Sequence, residues 1–235
     1  MDRATLGRRL ALLTAALVLG IGTAAGPQTV TLDEGTFRVS IGGREAGTET
    51  FRIQKNGTGS GAVIIDRGRV ALDAKETTTQ AQLVGETLRP TGYDVEVKGA
   101  DEHRIRGQVV GNRFSARIVS QAGENMREYV VSDEAVLVDQ GIAHHYYFVV
   151  QRLGGGESAR LPLLIPQENR QVMAQVSVDG TETIQVGGES LSARRILVRP
   201  AGGAERTVWA DAQGRILRVR VPSSQYVAER MAPPK

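Results

Sequence analysis

Two of the chain's three histidines, His144 and His145, are adjacent, in the stretch VDQGIAHHYYFVVQRLGGG at positions 138–156. Asp139 precedes them, and Tyr146, Tyr147 and Phe148 follow. Imidazole beside carboxylate and phenol is the raw material of metal sites and of acid–base catalysis. The spacing argues against both. Neighbouring residues lie about 100° apart on a helix and on opposite faces of a strand. Helical metal pairs are usually four residues apart, as in the zinc-protease motif. A third ligand would have to come from His103 or a carboxylate, and no spacing supports one. No Gly-x-Ser-x-Gly elbow is present for a serine nucleophile. Acidic pairs are scattered, and aromatics make up 4% of residues, few for a glycosidase cleft. The expectation is no catalytic residue, no metal site and no cofactor, with His144 and His145 structural.

The elements that position these residues are mostly strands. TFRVSIGGREAGTETFRI alternates apolar and polar residues around Gly42-Gly43, with Phe37, Val39 and Ile41 on one face. RIRGQVVGNRFSARIVS repeats the scheme around Gly111-Asn112, and RTVWADAQGRILRVRV turns at 211–214. QVSVDGTETIQV reads as a hairpin at Asp179-Gly180, because Asp-Gly tolerates positive φ at both turn positions. About a dozen strands are joined by connections too short for parallel crossovers, which predicts an antiparallel meander. NGTGSG, at 56–61, joins two strands and lacks the Gly-Lys-Ser/Thr ending of a phosphate loop. GGES occurs twice, at 155–158 and 187–190, and reads as two loops.

Only the histidine stretch changes period. Ile142, Tyr146, Val149 and Leu153 form a helical stripe. Asp139 is placed to cap its start and Gly154 to end it. His144, Tyr147 and Gln151 form a narrow polar edge, with His145 on the shoulder. The spacing predicts a helix over about 139–153, apolar nearly all round and therefore buried; a β-prone Tyr-Tyr-Phe-Val-Val strand is the rival. One buried helix beside a long antiparallel sheet predicts a mainly β fold, a long curved half-barrel meander wrapped around that helix.

Residues 1–25 read as a signal peptide: Arg3, Arg8 and Arg9, then an uncharged apolar run from Leu10 to Ile21, then Thr23-Ala24-Ala25. Arg8-Arg9 is compatible with twin-arginine export, but Ala11 stands where a larger apolar residue would strengthen that reading, so general secretion comes first. Residues 26–235 are expected to form one exported β domain, in the periplasm or outside the cell, with no stable membrane span. The leader carries three arginines and one aspartate, so its removal lowers the net charge from +3 to +1. That near-neutral balance and the few aromatics argue against nucleic acid as a partner. There is no cysteine, so neither a disulfide nor a cysteine-linked lipid is available.

The order of GGREAGTETF (42–51), VLVDQGIAHHYYFVVQRL (136–153), LPLLIPQ (161–167) and VWADAQGRILRVRV (208–221) resembles a group of exported bacterial proteins. These are similar to the half-barrel superfamily of periplasmic lipoprotein carriers and outer-membrane lipoprotein receptors. The resemblance implies the half-barrel fold, an envelope location and an apolar cavity. It supplies no catalytic residue, and the receptors' lipid-attachment cysteine is missing here. The expected function is a non-catalytic envelope protein that binds or carries a lipid or acyl chain, with Tyr146, Phe148 and Trp209 as candidate ligand-binding residues. The possible partners are a lipid, a lipoprotein or another envelope protein. The alternatives are an envelope scaffold without a cavity and, third, a hydrolase using His144 or His145. Arg215, Arg218 and Arg220 read as a solvated strand face, or as a contact for anionic lipid headgroups.

Overall fold

A computed structural model describes residues 29–235; the leader expected over 1–25 lies outside them. Eight strands follow one another first: β1 (Thr29–Ile41), β2 (Arg44–Asn56), β3 (Val63–Leu72), β4 (Lys75–Val84), β5 (Pro90–Lys98), β6 (His103–Val110), β7 (Arg113–Ser120) and β8 (Gly123–Val130). Each pairs antiparallel with the next. Then come β9 (Val136–Leu137), α1 (Tyr146–Leu153) and β10 (Ser158–Ile165). A second meander is completed by β11 (Arg170–Val186), β12 (Glu189–Pro200), β13 (Arg206–Ala210), β14 (Ile216–Val221) and β15 (Tyr226–Arg230). Pairing of β1 with β15 joins the two meanders into one open sheet of 15 strands. The mainly β architecture, with a single α-helix among the described residues, is therefore as the sequence predicts. No described helix is long and apolar enough to cross a membrane.

Curvature follows from one short connection. β8 and β9 are the two outer strands of the sheet, yet only residues 131–135 separate them. Six chain steps reach about 20 Å at most. The sheet must therefore roll until its edges nearly meet, and Ser132 donates its N–H to Gln171 Oε1 on β11 across that gap (2.8 Å). The chain then runs through the interior. Residues 135–139 and 142–150 are all buried, so this segment plugs the rolled sheet. Around it close Phe37, Phe51, Ile53, Leu83 and Phe114 from the first meander, and Val176, Ile196 and Val219 from the second.

Three local readings are corrected. Asp179-Gly180 is not a hairpin: β11 runs through it, with a register shift between Val178 and Thr181 in its pairing with β12. Gly180 takes its positive φ of 91° there, as an irregularity of the strand rather than a turn. The chain reverses at Gly187-Gly188 instead. α1 is shorter than 139–153, and residues 139–145 approach it in turns. Third, α1 serves as the crossover between β9 and β10, the one parallel pair among the described strands.

Candidate functional site

The polar centre of the plug is built from strand positions whose phase is apolar. On β2 the inward residues are Ala46, Glu49, Phe51 and Ile53; on β3 they are Ile64, Asp66 and Val70, with Gly68 between the last two. Glu49 and Asp66 are thus carboxylates at core positions, with no exposed surface. His144 sits between them. Its Nδ1 lies 2.7 Å from Glu49 Oε1. Its Nε2 faces both Asp66 oxygens, at 3.1 and 3.2 Å. The imidazole stacks on Phe51, with ring centroids 5.1 Å apart and planes 3° from parallel. Gly68, the cross-strand partner of Phe51, makes room for it. A Cβ there would lie 2.3 Å from His144 Cε1.

Glu49 also caps the approach to the helix, accepting the N–H groups of Ala143 and His144 at 2.8 Å each. Asp139, expected as the cap, has another task. Its Oδ2 accepts from Tyr93 Oη (2.7 Å), and its Oδ1 from the N–H groups of Gln140 (2.9 Å) and Gln167 (3.2 Å). Gly154 does end α1, with its N–H on the Val150 carbonyl. His144 and Tyr147 are not a polar edge; both are buried, and only Gln151 of that trio reaches the surface, donating to the Gln213 carbonyl (2.9 Å).

The charges can be assigned. Burial pushes the His144 pKa down, but Asp66 and then Glu49 outweigh it and raise the value to about 10. Burial pushes Asp66 up, yet His144 and His145 hold it below the usual carboxylate range. Asp139 is raised, chiefly by burial and against the hydrogen bond from Tyr93. His144 is therefore an imidazolium between two carboxylates.

Asp66, His144 and His145 bring ligand-type atoms within 4.8 Å of one another, the set that could hold a metal. The hydrogen bonds point elsewhere. His145 Nδ1 accepts the Asp139 N–H (3.1 Å), which places a ring hydrogen on Nε2. That nitrogen lies 3.2 Å from Asp66 Oδ2 and carries a hydrogen in place of a free lone pair. His145 Nε2, Asp66 Oδ1 and Thr79 Oγ1 nevertheless lack an aligned partner, the polar setting a buried water would satisfy. The cluster ties the plug to β2, β3 and β5.

An accessible site lies beside it. A groove of about 320 Å³ runs between the approach to α1 and the second meander. Ile41, Leu72, Ile142, Ala143, Tyr146, Val219, Val221 and Tyr226 line it, with Asp139, Glu168 and Arg206 among its polar residues. Of the three residues expected at a ligand, only Tyr146 is there. Phe148 is fully enclosed in the main core. Trp209 lies between Val208 and Ala210, both in that core, so it points to the other side of the sheet. There it packs with Ile184, Val186, Ala193 and Leu217, under the Arg218 guanidinium at 5.5 Å. Arg215 is paired with Asp211 (2.7 Å) and Arg218 with Glu229 (2.9 Å). A larger depression, about 730 Å³, borders the first described residues over the paired Asp33 and Arg230.

Sequence reasoning missed Glu49 and Asp66, and the signal was present. In both strands the carboxylate falls in step with Phe51, Ile53, Ile64 and Val70. A charge in an apolar phase implies a buried partner. No family model, no curated protein and no solved structure matches this chain.

Proposed function

We propose that the chain is an exported, non-catalytic protein of the cell envelope that binds or carries a lipid or acyl chain in the groove beside α1. The observation that carries this reading is the groove itself: about 320 Å³, walled mainly by aliphatic and aromatic side chains. Burial of apolar chain gains about 0.8 kcal/mol per methylene, so even a short buried run binds without specific polar contacts. His144, His145, Glu49 and Asp66 are absent from the groove lining, which argues against a hydrolase working on a molecule held there. The filled interior around Phe37, Phe51 and Phe148 favours a second reading, an envelope scaffold with no ligand.

A fluorescent acyl probe titrated into the protein separates the two. The wild type should bind it saturably, and Val221→Trp, which fills the groove from β14, should weaken binding at least tenfold at unchanged melting temperature. Equal binding by both proteins would remove the groove reading. Trp209 is a poor reporter for this titration, since it sits on the opposite face of the sheet.

A further inference from the structure

We infer that the groove is built for a single-chain amphiphile with a carboxylate head, a fatty acid, and that Arg206 and Tyr226 hold the head. This deepens the proposed function and rests on it. The polar lining is biased toward donors. Arg206 lines the groove and has no carboxylate within 4.0 Å among the described residues; its own hydrogen bond goes to the Ala204 carbonyl (2.5 Å). Its guanidinium lies beside the Tyr146 hydroxyl. Tyr226, two strands away on β15, is more than nine-tenths buried, and its hydroxyl finds no partner. A buried hydroxyl without a partner costs free energy that a bound acceptor would recover.

The groove's acids are already engaged. Asp139 accepts three hydrogen bonds, and Glu168 is bound by Arg170 (2.6 Å). Glu49 is close enough to act on Tyr226, but it lies outside the groove lining and is held by His144 Nδ1 at 2.7 Å. The donors left on offer are one guanidinium and a phenol beside an apolar trough. A planar carboxylate can accept from both, and a guanidinium presents its donors in the matching fork. An alcohol of the same chain length can fill the trough but carries no charge for Arg206.

Dodecanoate and dodecanol, titrated by calorimetry into the full chain, test this. The wild type should bind dodecanoate about tenfold or more tightly than dodecanol. Arg206→Gln should erase that preference while leaving dodecanol affinity unchanged, and Arg206→Lys should retain much of it. Tyr226→Phe, which removes only the hydroxyl, should reduce the preference in the same direction and serves if Arg206→Gln fails to fold. Equal affinity for both ligands in the wild type would overturn the inference while the groove reading stands. So would equal loss for both in Arg206→Gln. Binding of neither ligand to the wild type would remove the groove reading, and this inference with it.

Discussion

His144 has no solvent contact and a carboxylate on each side, so its charge is a property of the fold. An unfolded histidine titrates near 6.5, and this one near 10. A raised folded pKa stabilises fully below about pH 6.5, and the contribution is lost as pH rises toward about 10. Asp66, with its pKa depressed, contributes above about pH 4 and loses that contribution in acid. Tyr93 and Tyr226, raised above the ordinary tyrosine value, act only above about pH 10. Asp139, raised by burial, works in the opposite sense to Asp66, which makes the acid limb a poor place to look. Between about pH 6.5 and 9.5 the melting temperature should fall by roughly 10 °C, from a loss of several kcal/mol. Histidine NMR should show one imidazole still protonated at pH 8.5; free titration of every histidine near 6.5 would refute the buried imidazolium. Gly68→Ala tests the niche. Its Cβ meets the His144 ring, so the protein should lose at least 2 kcal/mol in denaturant unfolding. A neutral effect would mean that the ring does not lie over Gly68. The residues were only half legible: His144 and His145 stood out, but their partners Glu49 and Asp66 lie 95 and 78 positions away from His144.

At the scale of the element, α1 was legible by its stripe, and Tyr146, Val149 and Leu153 are all buried as that stripe requires. Its start was not. A local reading gives Asp139 to the helix, whereas β2 supplies the capping carboxylate from Glu49, and long-range partners leave no mark on local periodicity. Asp179-Gly180 failed for a related reason. A hairpin there would pair the two halves of β11 with each other, but residues 174–178 and 181–186 both pair with β12, and 170–177 also with β10. Tertiary pairing overrode a good local turn signal. Val149→Asp puts a carboxylate at a fully buried position of the apolar core. That costs several kcal/mol, a large share of a domain's stability, so the variant should be recovered insoluble or degraded. Tyr146→Asp should cost less, because Tyr146 borders the groove and Arg206 lies beside its hydroxyl. Soluble variants with wild-type melting temperatures would mean that the segment is not the plug of the sheet.

The whole molecule is a sheet rolled by its own connectivity. Alternation and turn residues made the strands and their antiparallel order readable, because side-chain period and turn chemistry are local. The pairing of β1 with β15 was not readable, since it joins the two ends of the chain. Nor was the tight passage from β8 to β9, which nearly closes the roll. An apolar trough lies beside α1, and the proposed function rests on its occupancy. A diazirine-bearing dodecanoate, photolysed with the protein and mapped by peptide mass spectrometry, tests that most directly. The account predicts labels on Tyr146, Val221 and Tyr226, lost when excess dodecanoate competes. Labels confined to the outer cluster around Trp209, or spread over the surface without competition, would contradict it.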